Sequence, residues 1–67
     1  MKRLPRSTYD AEIRAYRYPI PGRDRGALVW LRSRGEWFAC GPFAKWCTAR
    51  TRTDAMRGLY AILGVEL

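Results

Sequence analysis

The spacing of apolar residues changes several times along the chain, and each change predicts an element. In "STYDAEIRAYRYPIPG", Tyr9, Ile13 and Tyr16 fall at i, i+4 and i+7, the spacing of one helical face. Ser7 followed by Asp10 resembles a capping box, and Pro19 would stop the helix. The expectation is therefore a short N-terminal helix. A competing pattern runs through the same residues: Tyr16, Tyr18 and Ile20 alternate, which predicts a strand over Glu12 to Tyr18. "PIPGRDRG" follows as a loop of Pro, Gly and charge.

The middle of the chain reads as sheet. "ALVWLRS" is a short apolar run with strand-forming residues, and Arg34-Gly35 fits a two-residue turn. "EWFAC" returns, Gly41-Pro42 breaks it, and "AKWCTAR" makes a third strand. "TRTDAMRGLYAILG" then switches to helical spacing, with Met56, Leu59, Tyr60 and Leu63 on one face. Thr51 or Thr53 is the candidate cap, Asp54 suits the first turn, and Gly64 sits where a left-handed end residue is expected. Gly58 is a poor helix former, which suggests close packing of the helix on the sheet. The pattern predicts one α+β domain over residues 1–67: a three-stranded antiparallel meander packed by a C-terminal helix, with a short N-terminal helix, in the order α-β-β-β-α. Residues 1–6 read as a basic mobile arm.

Strand registers can be counted from the turns. A two-residue turn at Arg34-Gly35 sets Trp30 opposite Ala39 and Arg32 opposite Trp37; a turn closed by Pro42-Phe43 sets Ala39 opposite Trp46. On this count Trp30, Trp37 and Trp46 share one face with Leu28 and Arg32, and Cys40 and Cys47 share the other with Val29, Leu31 and Phe38. A one-residue slip would swap a strand's faces. Both faces come out apolar, so one C-terminal helix leaves a face to be covered by the N-terminal segment, a second subunit or a partner. The favoured role of the three Trp is core beneath the C-terminal helix; the competing role is base stacking, with Arg32, as aromatic sheets do in single-strand binders.

Charge narrows the partner. Thirteen Lys and Arg stand against six Asp and Glu, a formal charge of +7, and all but Lys2 and Lys45 of the bases are Arg. Arg's planar fork suits phosphate and stacks on rings, so a polyanion, or an acidic protein surface, is the expected partner. The bases fall into groups: Lys2, Arg3 and Arg6 on the arm, Arg23 and Arg25 in the loop, and Arg32, Arg34, Lys45, Arg50 and Arg52 on or near the strands. Arg50 and Arg52 precede a helix N-terminus, where anions bind readily. Convergence of Arg32, Arg34, Lys45 and Arg50 on one surface would favour nucleic acid; scatter around an exposed aromatic patch would favour a protein.

Other chemistry has little to stand on. The chain has no His and only two Cys, too few for a closed zinc site, and Cys40 and Cys47 are not spaced as a redox pair. No nucleophile motif or phosphate loop accompanies the six acids, so neither an enzyme nor a metal or cofactor is expected. No apolar run approaches a membrane span, and the basic start lacks a signal peptide's apolar segment, so a cytoplasmic location is expected.

From "GEWFACGPF" to "TARTRTDAMRGLYAILG" the order of strands and helix resembles the arm-type DNA-binding domains of tyrosine recombinases and the plant ethylene-response DNA-binding fold. The resemblance implies a sheet in the DNA major groove, with Arg32, Arg34, Lys45 and Arg50 on DNA. With an N-terminal helix the order also resembles a double-stranded-RNA-binding domain, without that family's Lys-rich final helix start. The size and Arg content are similar to small bacteriophage and mobile-element proteins. The expected function is a non-enzymatic nucleic-acid-binding domain, with DNA first. The alternative is a protein-binding inhibitor of a host or defence protein, anti-CRISPR-like, acting through an exposed apolar and basic surface. A homodimer across that face fits either.

Overall fold

The computed structural model describes residues 3–66. The chain forms β1 (Thr8–Asp10), β2 (Ala15–Tyr18), β3 (Ala27–Ser33), β4 (Glu36–Cys40), β5 (Trp46–Ala49) and α1 (Arg52–Leu63). The five strands make one antiparallel sheet in the order β1-β2-β3-β4-β5. The α+β class, the three middle strands and the C-terminal helix match the sequence pattern. The N-terminal helix does not form: that segment is the β1–β2 hairpin, and the sheet has five strands rather than three.

The misread spacing has a simple cause. Tyr9 and Tyr16 stand seven apart, as on one helical face, but they pair directly across the hairpin with ring centroids 4.9 Å apart. Asp10, expected inside a cap, instead closes the turn. Its carboxylate accepts from the Glu12 amide at 3.0 Å and from Nε and Nη2 of Arg17 at 3.1 and 3.0 Å. Pairing with β3 then satisfies the β2 backbone, a tertiary gain that local helical spacing cannot show.

α1 forms as expected. The Thr51 hydroxyl accepts from the Asp54 amide at 3.1 Å, and Gly64 ends the helix at φ 74°, ψ 24°. The helix buries Ala55, Met56, Leu59 and Tyr60 against one sheet face. That face carries the ladder Tyr9-Tyr16-Val29-Ala39-Cys47, with Tyr18-Ala27 to one side and Leu31-Trp37-Ala49 to the other. Fully burying a side chain such as Val29 or Leu59 stabilises by roughly 1.5–3 kcal/mol, so this layer is the main source of stability. Gly58 is what allows the helix this close: a Cβ there would lie 2.4 Å from Cys47 Sγ. The β2–β3 loop also joins the core. Ile20 is buried, and the Pro19 carbonyl accepts a 2.6 Å bond from the Tyr60 hydroxyl. In the stretch expected as a mobile arm, Leu4 packs on the same core.

Both registers depart from the count by one. Ser33 opposes Glu36 as a turn at Arg34-Gly35 requires, but a bulge between Leu31 and Ser33 shifts all pairs beyond it, so Trp30 opposes Phe38. Only Gly35 of the two turn residues is left-handed (φ 72°), which mismatches the twist of the strands; the bulge takes up the difference. Between β4 and β5 the loop is Pro42–Ala44, one residue longer than expected, with Phe43 and Ala44 left-handed at φ 62° and 56° and Gly41 N–H donating to the Lys45 carbonyl at 2.9 Å. Cys40 therefore opposes Trp46 and Ala39 opposes Cys47.

The faces change accordingly. Trp30 and Trp46 lie with Phe38 on the face away from α1, while Trp37 lies on the helix face. The expected grouping of all three Trp as core under the helix is thus overturned, and so is the pairing of Cys40 and Cys47 on one face: they lie on opposite faces.

Candidate functional site

The face away from α1 is uncovered among the described residues. One ladder across all five strands runs Thr8-Arg17-Leu28-Cys40-Trp46. The next runs Asp10-Ala15 and then Trp30-Phe38-Thr48, with Ala15 one step along from the Tyr16–Val29 pair and so beside Trp30.

Three aromatic rings form a diagonal band over β3, β4 and β5. Trp30 and Phe38 have centroids 4.9 Å apart and tilted by 41°; Phe38 and Trp46 are 5.7 Å apart and near parallel at 13°. Trp30 and Phe38 are half-buried against each other, and Trp46 is 57% exposed. Alternation on an extended strand makes this possible: residues two apart share a face, so the bulged β3 and the lengthened β4–β5 turn bring Trp30, Phe38 and Trp46 together.

The cations sit around this band rather than on one patch. The Arg32 guanidinium lies 5.6 Å from the Phe38 ring centre, with Nε 3.7 Å from the Glu36 carboxylate. Arg34, in the β3–β4 turn, and Arg50, just beyond β5, are exposed at that same end of the sheet. Lys45 is exposed beside Trp46 at the opposite end. Arg52 does not join them: its guanidinium lies 3.8 Å over the Tyr16 ring on the helix side, with Nε buried and unbonded. Arg3 is exposed, and Lys2 lies outside the described residues.

Residues that the sequence reading did not single out complete the face. Phe38 is the centre of the band. Arg17 flanks it from β2 and, with Arg6 and Thr8, lines a hollow of about 540 Å³ that Asp24 also borders. A second hollow of about 400 Å³ lies beside Trp30, walled by Ile13, Arg14, Leu28 and Leu31 around Ala15. The signal for Phe38 was present in its alternation with Cys40, but its side of the sheet depended on a bulge that leaves no mark in the sequence.

Titration adds little chemistry here. The bidentate Arg17 contact holds the Asp10 carboxyl below its usual value, so Asp10 stays ionised and Arg17 partly neutralised. Burial pushes the Cys40 thiol up, which leaves it less nucleophilic at neutral pH. Among the described residues, no cluster of three or more His, Cys, Asp or Glu could hold a metal, and no helix is long and apolar enough to cross a membrane.

No protein-family model, curated protein or solved structure matches the chain.

Proposed function

We propose that the uncovered sheet face binds single-stranded nucleic acid. The observation that carries the reading is the Trp30–Phe38–Trp46 band: three rings in contact, the last two stacked, unshielded by the helix, with Arg32 over the middle ring. Bases have a π-face in common, so an aromatic band grips a strand largely without regard to sequence, while cations at the margins meet the phosphates. A net charge of +7 adds long-range attraction for a polyanion.

The arrangement of the cations bears on which nucleic acid. Arg32, Arg34 and Arg50 share one end of the band and Lys45 stands at the other, so the four do not converge on one patch. A sheet lying in a duplex groove needs bases aimed together at one surface, so this spacing counts against the major-groove mode implied by the recombinase resemblance. A splayed single strand has its phosphates beside its bases, and flanking cations suit it.

The same spacing around an exposed aromatic patch also favours a second reading, a protein partner with an acidic rim. The Leu28-Cys40-Trp46 ladder is apolar and uncovered, as an interface core would be. Titration of labelled single strands, duplex DNA and RNA at two salt concentrations separates the readings. The single-strand reading expects salt-dependent binding that Trp46→Ala weakens about tenfold or more, with the fold unchanged because Trp46 is exposed. Absence of binding at low salt would overturn it and leave the protein partner, or a second copy of this chain, to be sought on that face.

A further inference from the structure

The aromatic band does not end at Trp30. Beyond it, toward β2, the surface drops into the hollow of about 400 Å³ whose floor is Ala15 and whose sides include Ile13 and Leu28. Ala15 is buried, yet it lies apart from the core cluster under α1; its methyl group belongs to the open face. A larger side chain at this position of the ladder would fill the depression.

The hollow is small, near the lower end of the roughly 300–1,000 Å³ typical of small-ligand clefts. That is room for a nucleobase. Its sides are largely carbon, and one of them is Trp30, the last ring of the band. At the rim stands Arg14, held in a left-handed backbone conformation at φ 52°. Such a conformation is costly for a residue with a side chain, and Arg14 is the cation among the residues that line the hollow. Carbon walls for a ring, an aromatic edge continuous with a stacking surface and a cation at the lip complement one nucleotide: its base inside, its phosphate on Arg14.

We propose that this hollow is a subsite for a single unstacked base at one end of the bound strand. The inference rests on the single-strand reading above and adds to it. It makes Ala15, Ile13 and Arg14 determinants of where a strand is seated.

The test is an abasic scan. Short oligonucleotides, each lacking the base at one position, are titrated against the wild type, Ala15→Leu and Ile13→Ser. For the wild type, one position near an end of the footprint should cost about tenfold in affinity when its base is removed. In Ala15→Leu that sensitivity should vanish while the losses at the positions stacked on the band persist. Ile13 is 46% exposed in a turn, so Ile13→Ser keeps the test valid should Ala15→Leu fail to fold. If the wild type binds and Trp46→Ala weakens it, yet no position depends on Ala15 or Ile13, the subsite is wrong and the single-strand reading survives. If the wild type binds no single strand, both fall.

Discussion

At the scale of single residues, the helix-side core is set by two close contacts. Gly58 forgoes about 1 kcal/mol of helix propensity relative to Ala, but a Cβ there would collide with Cys47 Sγ. Gly58→Ala should therefore lower stability despite the better helix former, and Cys47→Ala in the same chain should restore the propensity gain. Denaturant titration of the two single variants and the double variant checks this; additive effects would show that the contact does not limit the packing. The second contact is the Tyr60 hydroxyl on the Pro19 carbonyl, which ties the helix to the β2–β3 loop. Tyr60→Phe should cost about 1 kcal/mol. Burial, with Tyr18 adding to it, pushes the Tyr60 phenol from 10.0 up to about 12. A raised acid pKa means the folded state keeps a proton that the unfolded chain gives up. Stability should thus hold below pH 10 and fall between pH 10 and 12, and Tyr60→Phe should flatten that fall in thermal melts taken across the range.

At the scale of elements, the N-terminal hairpin holds the lesson about legibility. Helical spacing at i, i+4 and i+7 and a four-residue β-turn connection put Tyr9 and Tyr16 together equally well, so pattern alone could not choose. The edge of β3 chose, and that edge is a tertiary fact. The C-terminal helix was readable, with only the choice of Thr51 over Thr53 as cap left open, because its cap, apolar face and terminating Gly64 are all local. The bounds of β3 and β4 were readable too, but their facing was not: it hangs on a bulge and on a loop with two left-handed non-glycine residues, Phe43 and Ala44, in a stretch where Gly would be the ordinary choice. The candidate cations were named from charge alone, and the aromatic band that groups them depended on that facing. The β1–β2 turn carries similar strain at Arg14. Arg14→Asn, which tolerates the left-handed region better, should raise stability by up to about 1 kcal/mol. A thermal melt showing no gain would mean that the Arg side chain makes compensating contacts in the free protein.

At the scale of the whole molecule, the two sides of the sheet are built for different tasks. One is sealed by α1, which covers Val29 and Ala39 with Met56, Leu59 and Tyr60. The other keeps Trp30, Phe38 and Trp46 open under a positive net charge. Substitutions should therefore separate cleanly by side. Trp37→Ala, on the helix side, should lower the unfolding midpoint. Trp46→Ala should leave that midpoint nearly unchanged, since its ring is mostly in solvent. Chemical denaturation of both variants is a direct check, and equal losses would mean the open face also contributes to folding.

The bulge in β3 gives Arg32 an unusual genetic standing. Elsewhere in the sheet, loss of one codon would turn the rest of its strand over and scramble both sides. Arg32 is the supernumerary residue: without it, Leu31 would still meet Trp37 and Ser33 would still meet Glu36, now in unbroken succession. A chain lacking Arg32 keeps Trp30 opposite Phe38 in register, but it loses the bulge that takes up the turn's twist along with the cation over Phe38. Insertions and deletions at this point thus preserve the strand's facing, which a one-residue change elsewhere in β3 would reverse.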